Sequence, residues 1–257
     1  MMRHVRLHVR HAKLRLASRM AYRGDLALSL VAFFLVQLAA PIFAGVIYFA
    51  GGEFPGWTIY QVLLLQGILS TIIGVSYMSF FGLLWFTENM VREGKLDIIL
   101  MRPVNSLWLM IMGGFDEEDG ARIVSGLTLI VLALYHIDIS GSLTIAILLM
   151  FFGILFYLSL AVICSALTLR FIRTRLYEIV NLVQMYASYP GSIYGKKLSI
   201  VFSTVVPLLI VAHYPASALL GFAMNGILIA IVSVCVLVTV SIWFWYRTLR
   251  KYSSAGG

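Results

Sequence analysis

The sequence predicts an all-α polytopic membrane protein, and three observations predict it. Of its 257 residues, 61% are hydrophobic and only 12% are charged. Soluble domains run near half and a quarter, roughly. Mean hydropathy is +0.96. The apolar residues also fall into long runs, and nearly all Lys and Arg sit in the connections or at the ends. This composition excludes a soluble enzyme, a disordered chain and a repeat solenoid. At about 20 apolar residues per crossing the chain has room for about five to seven spans with short loops, and for no large extramembrane domain besides. Cys164 and Cys235 both lie in apolar runs and suggest neither a disulfide framework nor a metal site.

The net charge of +8 points to nucleic acid only until its placement is considered. Arg3, Arg6, Arg10, Lys13, Arg15, Arg19 and Arg23 precede the first apolar run. Arg92, Lys95, Arg102, Arg122, Arg170, Arg173, Arg175, Arg247, Arg250 and Lys251 sit in connections or the tail, and only Lys196 and Lys197 fall elsewhere. This is the positive-inside pattern of a multi-pass protein of the bacterial plasma (inner) membrane.

The apolar runs read in order as follows. Residues 26–50 are too long for a signal-peptide core and form a retained first span. The turn-rich Gly51-Gly52-Glu53-Phe54-Pro55-Gly56 lacks Lys and Arg and faces out. Residues 59–86 make the second span, and the charged stretch 88–122 faces in. Residues 123–137 make a short third span, closed outside by Asp138-Ile139-Ser140-Gly141-Ser142. Residues 143–169 make the fourth, closed inside by Arg170, Arg173 and Arg175. A fifth runs from Glu178 to Pro190, and a last from Leu219 to Trp245, with Trp243, Trp245 and Tyr246 placed as an interfacial aromatic belt. Both ends carry positive charge, so the number of crossings is even. Residues 198–213 hold Pro207 and are expected to be re-entrant rather than a further crossing, which leaves six crossings and both termini cytoplasmic.

Residues 2–20 alternate apolar and basic positions at helical spacing and predict an amphipathic helix lying on anionic lipid. In the inside segment, Leu96, Ile99 and Leu100 share one helical face, with Glu93, Lys95 and Asp97 around it. A short helix of this kind suits docking to a soluble protein. Asp116-Glu117-Glu118-Asp119 reads as a solvated acidic loop, or as acceptors for a basic partner.

The absent chemistry narrows the function. There is no phosphate-binding loop, since Gly191-Ser192-Ile193-Tyr194-Gly195-Lys196-Lys197 has the wrong spacing and ending. His4, His8 and His11 cluster only on the amphipathic helix, where an interfacial basic helix accounts for them better than a metal site. No paired carboxylates lie deep in the spans, which argues against proton-coupled transport. Gln37, Gln61, Gln66, Asn181 and Gln184 are the candidate polar lining, serving either interhelical hydrogen bonds or substrate contact. Gly67, Ser70, Gly74 and Ser76 read as close-packing positions.

The run from Gly94 to Asn105 resembles type 2 ABC transporter permeases, above all the bacterial branch once of unknown function with its R-x-G-x-L-D-x-x-L-x-R-P pattern. Arg92, Gly94, Leu96, Asp97, Leu100, Arg102 and Pro103 fit it. A second block is Tyr189-Pro190-Gly191-Ser192-Ile193-Tyr194, then Pro207, then His213-Tyr214-Pro215-Ala216-Ser217-Ala218-Leu219-Leu220. The resemblance implies an elbow helix over residues 1–24 and a six-span permease domain over 25–257. It also implies a cytoplasmic coupling helix between spans two and three and a re-entrant hairpin between spans five and six. Arg92, Glu93, Leu96, Asp97, Ile99, Leu100 and Arg102 become the expected coupling residues, with Leu96, Ile99 and Leu100 inserting into the partner. The implied partners are two copies of an ABC ATPase, which hold the ATP and Mg, and a second permease, identical or paralogous. Membrane lipids are expected as partners too, and nucleic acid is not. No cofactor is expected in this chain, and no hydrolysis by it alone. The implied activity is export of a drug-like, lipid or natural-product substrate. An intramembrane lipid-modifying enzyme and a non-transporting assembly or immunity protein are the rival readings; the first lacks a buried catalytic cluster.

Overall fold

The computed structural model describes residues 23–114, 116, 119–171 and 176–252. The amphipathic helix expected over 2–20, the Arg173 and Arg175 cluster and the last residues lie outside them. Among the described residues the regular structure is helical, with one isolated bridge pairing Phe54 and Trp57.

The first span is two helices, α1 (Arg23–Gln37) and α2 (Ala39–Phe49). Pro41 has no N–H to return to the Gln37 carbonyl, so the helix breaks there. Next come α3 (Ile59–Ser76), a π-helical segment Tyr77–Phe81, and α4 (Leu83–Arg92), which together make one apolar rod over Ile59–Arg92. Thr58 opens it with a capping box to Gln61. Short helices α5 (Leu96–Leu100) and α6 (Ser106–Gly113) precede α7 (Gly120–Leu134) and α8 (Leu143–Thr168). The chain ends in α9 (Leu176–Ala187), α10 (Lys196–Thr204), α11 (His213–Leu220) and α12 (Ile227–Leu249), with single 3-10 turns at Gly191–Ile193 and Leu208–Ile210.

Among the described residues, four helical stretches are long and apolar enough to cross a membrane: Ala27–Phe49, Ile59–Arg92, Leu143–Thr168 and Ile227–Leu249. The α7 and α9 helices are shorter. Met110 lies in α6, and after that helix Gly114 lies against Gly82 so closely that a Cβ on either would overlap the other's backbone. The last helix starts at Ile227, not Leu219. The left-handed Gly221 (φ 68°) and Gly226 (φ 85°) bracket a turn that separates it from α11. Residues 198–213 are not one helix, as Pro207 requires.

The rod α3–α4 is the centre. Its neighbour α7 runs antiparallel to it, with Gly74 against Ile123, Ser70 bonded to the Arg122 carbonyl at 2.9 Å, Gly67 against Gly126 and Ile130, and Tyr60 stacked on His136 at 4.1 Å. The glycines permit backbone-to-backbone approach. Gly67, Ser70 and Gly74 are thus the close-packing positions anticipated from sequence. The α9 helix also runs antiparallel to the rod, meeting Trp85 through Tyr177, Tyr77 through Gln184 and Gln66 through Ser188. The α8 and α12 helices pack on each other, and α11 lies across α8 and α3.

The bundle has two distinct ends. At the turn end, Phe54-Pro55-Gly56-Trp57 closes through Trp57 N–H to the Phe54 carbonyl at 2.9 Å, with Gly56 at φ 75°. Trp57 meets His213 and Phe222 there at 5.5 Å, and the amides of Gly141 and Ser142 donate to the Leu219 and Ala218 carbonyls. His213 Nδ1 accepts from Gly191 N–H at 3.1 Å, and burial pushes its imidazole down to about 4, which keeps it neutral. At the charged end, Asn105 Nδ2 donates to the Tyr246 hydroxyl at 2.7 Å and joins the segment after α5 to the end of α12. Trp245 is fully buried, so the aromatic belt expected at this end loses it; Trp243 is exposed.

Candidate functional site

Two features stand out, one at the charged end and one inside the bundle. The rod's last turn ends at Gly94 in a Schellman motif. Lys95 N–H donates to the Met90 carbonyl at 2.9 Å, Gly94 N–H donates to the Val91 carbonyl at 3.2 Å, and Gly94 takes φ 66°. This motif turns the chain directly into α5. A Cβ at Gly94 meets nothing within 4 Å, so the glycine serves conformation rather than space. Gly94→Ala is expected to lower stability by about 1 kcal/mol through left-handed strain. It should lower the melting temperature of the purified chain by a few degrees without changing its oligomeric state.

On α5, Leu96 is fully buried and Ile99 is 7% exposed, both in the chain's own core. They do not present the outward face expected from the sequence. Five residues make little more than one turn, and α6 packs on that turn, so the apolar stripe is used internally. Ile98, Leu100 and Met101 point outward at 51%, 36% and 78% exposure. Around them Arg92, Glu93, Lys95 and Arg102 are exposed and Asp97 is half-buried. Lys95 pairs with Glu93 at 2.6 Å, and that hydrogen bond and charge hold the Glu93 carboxyl below its usual value. Glu93 therefore stays ionised, and the outward surface is a mixed-charge rim around three apolar side chains.

The second feature is a cavity of about 90 Å³ between the Pro41 kink, α3 and α9. It gathers three of the five glutamines and asparagines singled out above: Gln37, Gln66 and Gln184, with Ser70 and Ser188. Gln66 is 4% exposed; its Nε2 reaches the Ser188 carbonyl at 3.4 Å, while its Oε1 has no partner among the described residues. Gln184 Nε2 donates to the Tyr77 hydroxyl at 2.6 Å. Gln61 is elsewhere, spent on the α3 capping box, and Asn181 is exposed on α9.

Below this cavity lies a cluster that the sequence reading missed. Arg122 pairs with Asp119 at 2.6 Å, the two side chains being 14% and 10% exposed. The Arg122 guanidinium sits 5.0 Å from the Tyr77 ring centroid and 5.7 Å from that of Phe33. Asp119 is therefore not part of a solvated acidic loop; it neutralises a cation sunk beside the rod. The available signal was a lone Arg three residues after an acid at the head of an apolar run. Tyr77 itself stands in the π segment and stacks on Phe81 at 4.2 Å. The extra residue per turn of a π segment re-aims the side chains after it, and such segments recur at functional sites.

The bundle of apolar helices thus carries a small polar pocket beside its central rod and a charged segment at the end of that rod. The chain belongs to the ABC-2 family transporter proteins, whose family model matches residues 34–256. It is a permease subunit of an ABC transporter. No curated protein and no solved structure matches it.

Proposed function

We propose that the chain is one of two permease subunits of an ATP-driven exporter in the bacterial plasma membrane, with the charged end cytoplasmic. Six crossings follow on this reading, with α1–α2, α3–α4, α7, α8, α9 and α12 crossing in turn and both termini inside. The placement of Lys and Arg supports this orientation. Two ATPase subunits bind beneath, one against each α4–α5 segment, and carry the ATP and Mg. Arg92, Glu93, Asp97, Leu100 and Arg102 meet the ATPase together with Ile98 and Met101, while Leu96 and Ile99 hold the segment in place from within.

The observation that carries this reading is the continuity of the rod. One helical element over Ile59–Arg92 bears Gln66 and Ser70 at the cavity and delivers the segment at Gly94 to the charged end. A displacement of the segment by the ATPases is thereby transmitted to the cavity, provided the ATPases bind the two permease states unequally. Gln37, Gln66 and Gln184 contact the substrate, which is drug-like, a lipid or a natural product. The partner-held ATP supplies the energy.

The test is purification of the tagged chain from membranes of its own host. An ABC ATPase is expected to co-purify in equal amount. The complex is expected to hydrolyse ATP, and the chain stripped of it to show no turnover above background. Recovery of a folded chain with no ATPase attached, or hydrolysis by the chain alone, overturns the proposal.

A further inference from the structure

A second cavity, of about 270 Å³, opens between the ends of α8 and α12 at the charged end. Its floor is apolar: Ala166 and Leu169 are buried and Phe244 is half-buried. Its rim holds three exposed cations, Arg170, Arg247 and Lys251, and no acidic residue lines it. None of the three forms an ion pair among the described residues. Arg170 lies 5.6 Å from the Phe171 ring centroid, and Arg247 lies 5.1 Å from that of Trp243.

Three like charges around one opening repel one another, and nothing in the described chain offsets them. Guanidinium groups match phosphate oxygens through paired N–H donors, and lysine adds a third donor. The apolar floor requires more than a phosphate, because a free anion leaves Phe244, Ala166 and Leu169 facing water. The position supplies the rest of the ligand. Both walls are helices long and apolar enough to cross a membrane, and the exposed Trp243 marks the headgroup level beside the rim. Basic pockets between spanning helices at the cytoplasmic surface suit anionic headgroups.

We propose that the groove between the ends of α8 and α12 binds an anionic phospholipid, with its phosphate on Arg170, Arg247 and Lys251 and its first acyl carbons on Phe244 and Ala166. The site is separate from the α4–α5 surface and does not depend on ATPase docking there.

The experiment measures melting temperature and lipid retention for the full chain in neutral detergent. The probes are phosphatidylglycerol, cardiolipin, phosphatidylcholine, glycerol phosphate and inorganic phosphate. The two anionic lipids are expected to raise the melting temperature saturably, and the other three to leave it unchanged. Replacing all three cations by glutamine should weaken the anionic-lipid response by tenfold or more, since each basic residue at an anionic surface contributes roughly fivefold. Lys196→Gln with Lys197→Gln, at the opposite end, should change nothing. Lys251→Gln alone, on an exposed terminal turn, gives a smaller loss and serves should the triple variant fold poorly. An equal response from wild type and variants overturns the proposal. So does an equal response to inorganic phosphate, which marks a soluble-anion site. Unchanged lipid response with loss of the ATPase subunit also overturns it and makes the groove a protein-docking face.

Discussion

Gly126→Leu is expected to remove most of the folded protein. At Gly126 an added Cβ meets the Thr71 hydroxyl and lies 2.6 Å from the Thr71 amide nitrogen and 2.7 Å from the Gly67 carbonyl oxygen. These are main-chain groups of a helix already fixed by its own ladder, so relief requires α3 and α7 to separate. Ordinary core overpacking costs about 1–3 kcal/mol. Here the separation also breaks the Ser70 bond to the Arg122 carbonyl and strips the packing from Gly67 and Gly74. The loss should be at or above the top of that range, a large share of a marginal stability. Gly45→Leu is the matched control, because nothing lies within 4 Å of a Cβ there. Size-exclusion profiles of both variants in detergent make the comparison. A monodisperse Gly126→Leu protein with the wild-type melting temperature would show that α3 and α7 are not packed through this seam.

The second large effect separates docking from folding at α5. Ile98→Asp with Met101→Asp alters two outward side chains, and surface substitutions usually stay within about 0.5 kcal/mol. The chain should fold and insert normally. Burial of an apolar side chain is worth about 1.5–3 kcal/mol, so loss of either contact should weaken ATPase association by about tenfold or more. Leu96→Asp behaves differently. It places a carboxylate in a fully buried position, and it should lower the melting temperature before any partner is present. Retention of full ATPase association and transport by the Ile98→Asp, Met101→Asp protein would exclude this surface as the docking site.

The contrast between Leu96 and Ile98 marks the limit of what the sequence made legible. Membrane class, the apolar runs and the segment after Arg92 were all readable, because hydropathy and charge placement are strong one-dimensional signals. Periodicity placed Leu96, Ile99 and Leu100 on one face, but it carries no information on which neighbour that face meets. The α6 helix decides this. The same limit separates Gln66 from Gln61. Both are glutamines in one apolar run; the spacing of Thr58 and Gln61 is that of a capping box, but only the packing of α9 puts Gln66 at a cavity. Tyr77 was hidden because a π segment has no compositional signature, and Arg122 because its acid partner read as part of a loop. Boundaries failed where glycine intervened: the run beginning at Leu219 is mostly apolar, but the left-handed Gly221 and the Asn225-Gly226 turn divide it.

The central position of the rod has a consequence for biogenesis. Over an 18-residue window, 78% of Ile59–Arg92 is buried within the chain, against 6% of Ala27–Phe49 and 17% of Ile227–Leu249. The rod nevertheless leaves the ribosome before α7, α8, α9, α11 and α12 exist. At about 5–20 residues per second, it waits several seconds for α7 and longer for α8. During that interval Gln66, Ser70, Thr71 and Ser76, all buried in the finished bundle, have only the first span, α1–α2, to shield them from lipid. The nascent rod is then a substrate for whatever shelters half-polar helices at the translocation site. Substitutions that delay α7 should expose the chain to membrane proteases far more than equal changes in the last span.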